Sequence, residues 1–179
     1  MRLFIAAELP GEMLDALAET SARLRGSVHG RYVATDSLHL TLAFLGEVSG
    51  TRVDDVVDAL QEGCHDFASM DVSLGELGSF GRRKTATLWQ GVFETTAGGT
   101  LAALAQSIRN ALKDHGFSFD EKSFRAHITL MRKADLTTGT LPSPAMASGL
   151  LDTVTLFRSD LSGSRPIYEG LHSVTLQTS

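Results

Sequence analysis

Two short segments of this chain say nearly the same thing, half a chain apart. The first is His39-Leu40-Thr41-Leu42, within Ser37 to Gly46; the second is His127-Ile128-Thr129-Leu130, within Phe124 to Arg132. Each alternates and is rich in aliphatic and β-branched residues, the pattern of a strand with one buried face. Successive side chains of a strand point to opposite faces. His39 and Thr41 therefore share one face, with Leu40, Leu42 and Phe44 on the other. His127 and Thr129 repeat this against Ile128 and Leu130. A fold for this chain must present two such strands, each with an imidazole and a hydroxyl facing outward.

The intervening sequence supplies the rest of two half-structures. Arg2 to Leu9 reads as a buried strand, and Pro10 opens a helix whose inner face is Met13, Leu14, Leu17 and Leu24, stopping at Gly26. A polar loop, Ser27 to Arg31, leads to Tyr32-Val33 and the first motif. Thr51 caps a second helix, with Val53, Val56, Val57 and Leu60 on one stripe. Strands are expected at Met70 to Leu77 and Thr85 to Phe93, joined by the turn Gly78 to Lys84 with its three consecutive cations. Leu101, Leu104, Ala105, Ile108 and Leu112 mark a third helix, closed by Gly116. Lys133 to Gly149 reads as a loop, followed by strands at Asp152 to Arg158 and Tyr168 to Leu176. Helices and strands are mixed without the alternation of a doubly wound parallel sheet. The fold class is α+β, with duplicated lobes and a site between them.

Composition narrows the classes of function. An apolar content of 42% with 21% charged residues is that of a globular protein. One cysteine, Cys64, forbids an internal disulfide and fits a reducing compartment. No leader pattern opens the chain and no run approaches the roughly 20 apolar residues of a spanning helix, so a cytoplasmic location is expected. A net charge of −5 argues against coating nucleic acid by charge alone, while leaving room for a small basic cleft.

Imidazole titrates near neutrality, so one ring can accept a proton while the other donates. A threonine hydroxyl can donate a hydrogen bond to a phosphate oxygen. Two of each, converging, suit a phosphodiester. A metal would need further ligands on the histidine faces, which neither strand has, so neither metal nor other cofactor is expected. Cys64, at a helix end, makes a poor nucleophile, and no phosphate-binding Gly-rich loop is present. Arg125 and Arg132 are assigned to the face opposite His127, where either reaches a phosphate only if the strand ends twist. Tyr32 and Trp89 are either core or platforms for a base, Phe44 is core, and the Arg82-Arg83-Lys84 turn is either a solvated loop or a patch that steers a polyanion. His29, His65, His115 and His172 read as structural or surface residues, without partners.

At these residues the chain resembles the two-histidine phosphoesterase superfamily, and within it the RNA 2′,3′-cyclic phosphodiesterases, historically called 2′-5′ RNA ligases. The likeness extends from Met1 to Ala6, through both motifs and Leu88 to Val92, to Leu156 to Ser159 and Tyr168. One departure is Ala126, where the family commonly has proline before the second histidine. The resemblance implies one domain over residues 1–179, bilobal α+β, with two antiparallel-rich sheets, pseudo-twofold symmetry, a central cleft and helices outside. It implies metal-independent hydrolysis of an RNA terminal 2′,3′-cyclic phosphate to a 2′-phosphate, with weak reversible ligation. His39 and His127 would be acid and base in an order the sequence leaves open, with Thr41 and Thr129 on the phosphate. Arg132, Tyr32 and Trp89 are candidate substrate contacts. RNA ends or small cyclic nucleotides are the expected partners, and a monomer is expected. Two alternatives stand beside this: a phosphodiesterase for a small nucleotide, ADP-ribose cyclic phosphate or 2′-5′ oligoadenylate, and a non-catalytic RNA-end or phosphate-binding module.

Overall fold

The apolar run after Met1 becomes β1 (Arg2–Ala7), buried along nearly its whole length because it lies inside a sheet. The structure, a computed structural model, describes residues 1–178. Among them the strands form two antiparallel sheets. The first has the order β3-β1-β8-β9, from β3 (Leu40–Glu47), β1, β8 (Thr153–Asp160) and β9 (Ile167–Thr175). The second has the order β2-β6-β5-β4-β7, from β2 (Arg31–Tyr32), β6 (His127–Ala134), β5 (Ala86–Glu94), β4 (Met70–Phe80) and β7 (Ser148–Leu151). Outward from the motif strands, β3-β1-β8-β9 and β6-β5-β4-β7 are the same four-strand arrangement, and β3 and β6 approach each other between the sheets. The expected duplication is thus present as two α+β lobes.

Among the described residues, three α-helices cover the outer faces. Helix α1 (Gly11–Arg25) buries Met13, Leu17 and Leu24 and lies by β7, where Gly149 leaves room for Pro10. Helices α2 (Val53–Cys64) and α3 (Leu101–Asp114) pack together so closely that a Cβ on Gly63 would fall 2.6 Å from the Ile108 Cα. Thr100 caps α3, its hydroxyl accepting from the Ala103 N–H at 3.0 Å. Thr51 does not cap α2: a 3-10 turn over Gly50–Arg52 intervenes, with the Ser49 hydroxyl accepting from the Thr51 N–H. None of the described helices is long and apolar enough to cross a membrane.

Two boundaries differ from expectation. Strand β4 continues to Phe80, so the turn begins only at Gly81, at φ 82°. The stretch 133–149 holds the end of β6 and the start of β7, an edge strand too short for periodicity to mark.

Candidate active site

His39 stands one residue before β3 and His127 begins β6, so both imidazoles enter a cleft between the sheets, of about 1030 Å³. Thr41 and Thr129 line the same cleft. The rings are held identically. His39 Nδ1 is 2.7 Å from the Ser37 carbonyl oxygen, and His127 Nδ1 is 2.6 Å from that of Arg125. A carbonyl only accepts, so Nδ1 carries the proton in both rings. Each Nε2 is left to take a proton when the ring is neutral, or give one when it is charged.

The surroundings differ. The His39 ring packs against Phe4 at 4.7 Å and Tyr168 at 5.2 Å between centroids. His127 packs against Phe80 at 5.1 Å and Trp89 at 5.8 Å. Burial holds the His39 imidazole below its ordinary pKa. The positive charges of Arg132 and His127 push the same way, while the Ser37 carbonyl opposes them by favouring the charged ring. Cys64 is buried outside this cleft and its thiol is pushed up to about 12, so it supplies no thiolate at neutral pH.

Three assignments of side-chain facing are corrected. Phe44 and Arg132, expected on the buried face, line the cleft. The reason is a β-bulge at the same place in each motif strand. Between the Ala6–Thr41 and Ile5–Ala43 pairs, β1 advances one residue while β3 advances two. Between the Trp89–Thr129 and Leu88–Met131 pairs, β5 advances one while β6 advances two. The extra residue buries two consecutive side chains, Leu42-Ala43 and Leu130-Met131, and returns the next one to the cleft. Lys133, next after Arg132, lies at φ 51° and absorbs a second irregularity. Arg125 is the third correction. Two residues from His127 along an extended chain, it belongs on the same side, and its guanidinium sits 5.5 Å from the Trp89 ring.

Arg31 pairs directly across from Arg132, and both line the cleft. Like charges directly opposed are destabilising, so the pair makes sense around an anion. Arg2, Arg109, Lys122 and Arg125 add further positive charge and Arg165 stands at the rim paired with Asp36, while Asp120 is the one carboxylate among the described lining residues. Sequence reasoning missed this enrichment because the cations come from six separate segments. Tyr32 lines the cleft with its hydroxyl donating to the Val28 carbonyl at 2.8 Å, and Trp89, 7% exposed, backs His127. The Arg82-Arg83-Lys84 turn is absent from the lining, and Arg83 donates to the Leu136 carbonyl. His115 and His172, expected to lack partners, meet Glu62 at 3.0 Å and Gln61 at 3.2 Å, outside the cleft. Among the described residues no three His, Cys, Asp or Glu side chains come together as metal ligands would.

The family model described as the 2′-5′ RNA ligase superfamily matches residues 13–156. An RNA 2′,3′-cyclic phosphodiesterase of Thermotoga maritima is 31% identical, over 96% of this chain and 94% of its own length. One from Escherichia coli is 32% identical, over 95% and 93%. The crystal structure of E. coli LigT complexed with 3′-AMP superposes with a TM-score of 0.81 at 30% identity, covering 98% of this chain and 97% of that one.

Proposed function

The chain belongs to the 2′-5′ RNA ligase superfamily and is a cyclic phosphodiesterase, and from that premise we propose that it opens the terminal 2′,3′-cyclic phosphate of RNA to a 2′-phosphate, without a metal, by acid–base catalysis between His39 and His127. The observation that carries this is the matched pair of imidazoles, each with Nδ1 committed to a main-chain carbonyl, in a cationic cleft.

His39, held neutral by burial and by the cations beside it, is the base. Its Nε2 takes a proton from water as the water oxygen bonds to phosphorus. The bond from phosphorus to O3′ breaks, and charged His127 gives its Nε2 proton to that oxygen. The hydroxyls of Thr41 and Thr129, with Arg132, hold the non-bridging oxygens and gain strength as charge builds on them. Metal independence is supported by the donor set: hydroxyls, guanidiniums and aromatic rings surround the histidines where a metal would need carboxylates or further imidazoles. A 5′-hydroxyl in place of water would leave a 2′-5′ linkage by the same steps. Both histidines come from one chain, which suits a monomer.

The test is turnover of a short RNA ending in 2′,3′-cyclic phosphate by wild type, His39→Ala and His127→Ala. Each variant is expected to lose about 10²- to 10⁴-fold in rate with an unchanged circular dichroism spectrum. A folded variant that keeps the wild-type rate would remove its histidine from the chemistry.

A further inference from the structure

A second cavity, of about 500 Å³, adjoins the cleft on the His127 side, with Arg125 lining both. It lies on the same face of the second sheet as His127. Gly91 pairs with His127 and Trp89 with Thr129, so Trp89, Gly91 and Phe93 share the catalytic face. Phe93 lines the far end and is 48% exposed. Trp89 forms the near wall, and its buried indole N–H has no acceptor among the described residues. Arg125 lies along the boundary between the two cavities.

The first lobe shows why this space is not a by-product of the fold. There Ala6 pairs with Thr41 and with Thr155, as Trp89 pairs with Thr129 and with Gly78. Thr155 fills its position, donating to Glu8 at 3.1 Å and lying 2.7 Å from the Ser173 hydroxyl. At the corresponding place the second lobe has Gly78, where a Cβ would meet the Trp89 ring at 2.3 Å. The indole therefore lies flat on Gly78, and Gly75 and Gly91 keep the floor beyond it open. One lobe is filled with a polar network; the other is hollowed beside its histidine.

We propose that this groove is a second nucleotide subsite, which takes the base of the residue preceding the one that bears the cyclic phosphate. The proposal rests on the RNA-end reading above. An exposed aromatic ring is the platform on which unpaired bases stack. Glu76, which lines the groove, repels a phosphate but accepts a hydrogen bond from a base amine or imino group. Arg125, at the junction, is placed for the phosphate joining the two nucleotides. The occupant is thus a nucleotide continuous with the one in the cleft, and the preferred substrate is an oligonucleotide end.

The experiment compares kcat/KM for a mononucleoside 2′,3′-cyclic phosphate with that for a trinucleotide ending in the same group. Wild type is expected to favour the trinucleotide by about tenfold, within the range for one stacked base. Phe93→Ala should abolish most of that advantage and leave mononucleotide turnover within about twofold. Gly91→Leu, whose Cβ meets only ordinary contacts at 3.5 and 3.6 Å, should do the same by filling the floor. If its mononucleotide turnover also falls, Phe93→Ala decides alone. No length preference in an active wild type, or a preference kept in Phe93→Ala, would overturn the subsite and leave the phosphodiesterase reading standing. An enzyme inert on both substrates would overturn that reading, and the subsite with it.

Discussion

His39 and His127 have the same hydrogen bond and different company, and the proposed division into base and acid rests on that difference. Burial, helped by Arg132 and His127, lowers the His39 pKa, so its neutral form persists below the ordinary value of about 6.5. The acid limb of kcat/KM is therefore expected below pH 6.5. Arg132→Ala removes one of the cations that disfavour the charged ring, so the limb should move to higher pH as the rate falls. An unshifted limb in that variant would separate Arg132 from His39. The same shift couples to folding. The unfolded chain protonates this imidazole near its ordinary pKa while the folded chain resists, so the folded state loses stability as pH falls through that window and has none to lose above it. The histidines and threonines were legible in the sequence because motif and parity both repeat. Phe44, Arg125 and Arg132 were not placed correctly. For Phe44 and Arg132, strict alternation fails after Thr41 and Thr129; for Arg125, alternation itself, counted from His127, gives the cleft face the structure shows.

At the scale of elements, the two bulges are what complete the site. Each motif strand buries two successive apolar residues, and each then aims a fifth residue after the histidine, Phe44 or Arg132, into the cleft. The doublets Leu42-Ala43 and Leu130-Met131 are visible in the sequence as breaks in alternation, and such a break is the one local sign of a bulge. The helices were legible from their apolar stripes. Strand β7 was not, since four residues carry too little pattern and its place is fixed by pairing with β4. The seat of Trp89 on Gly78 was also hidden, because the pairing joins residues of different strands. Gly78→Ala puts a methyl where the indole lies. It is expected to destabilise the protein by about 1–3 kcal/mol, as overpacking does, and to lower turnover by displacing the ring that backs His127. Unchanged urea unfolding and unchanged turnover would show that the indole has another place to go.

At the scale of the molecule, a chain of net charge −5 concentrates its cations around one cleft. Charge counting over the sequence could not find this, because Arg2, Arg31, Arg109, Arg132 and Arg165 meet only when both sheets have formed. Binding of an RNA end should weaken with salt. A log–log slope of about −1.4 to −2.1 is expected if two or three phosphates are held, at roughly −0.7 per phosphate for a single strand; a flat dependence would contradict a cationic seat. The hairpin between β8 and β9 is tied to the turn before His39 by Arg165, whose guanidinium donates to both Asp36 oxygens at 3.0 and 3.3 Å. Both side chains are exposed, so the tie is worth little to stability. It joins two segments that border the cleft on the His39 side. Metal-free catalysis by the two histidines is decided by the identity of the product end after the protein is incubated, in excess chelator, with a short RNA ending in 2′,3′-cyclic phosphate. Undiminished turnover and a 2′-phosphate are expected. A 3′-phosphate would mean that the other oxygen leaves, and activity lost to the chelator would contradict catalysis by the two histidines alone.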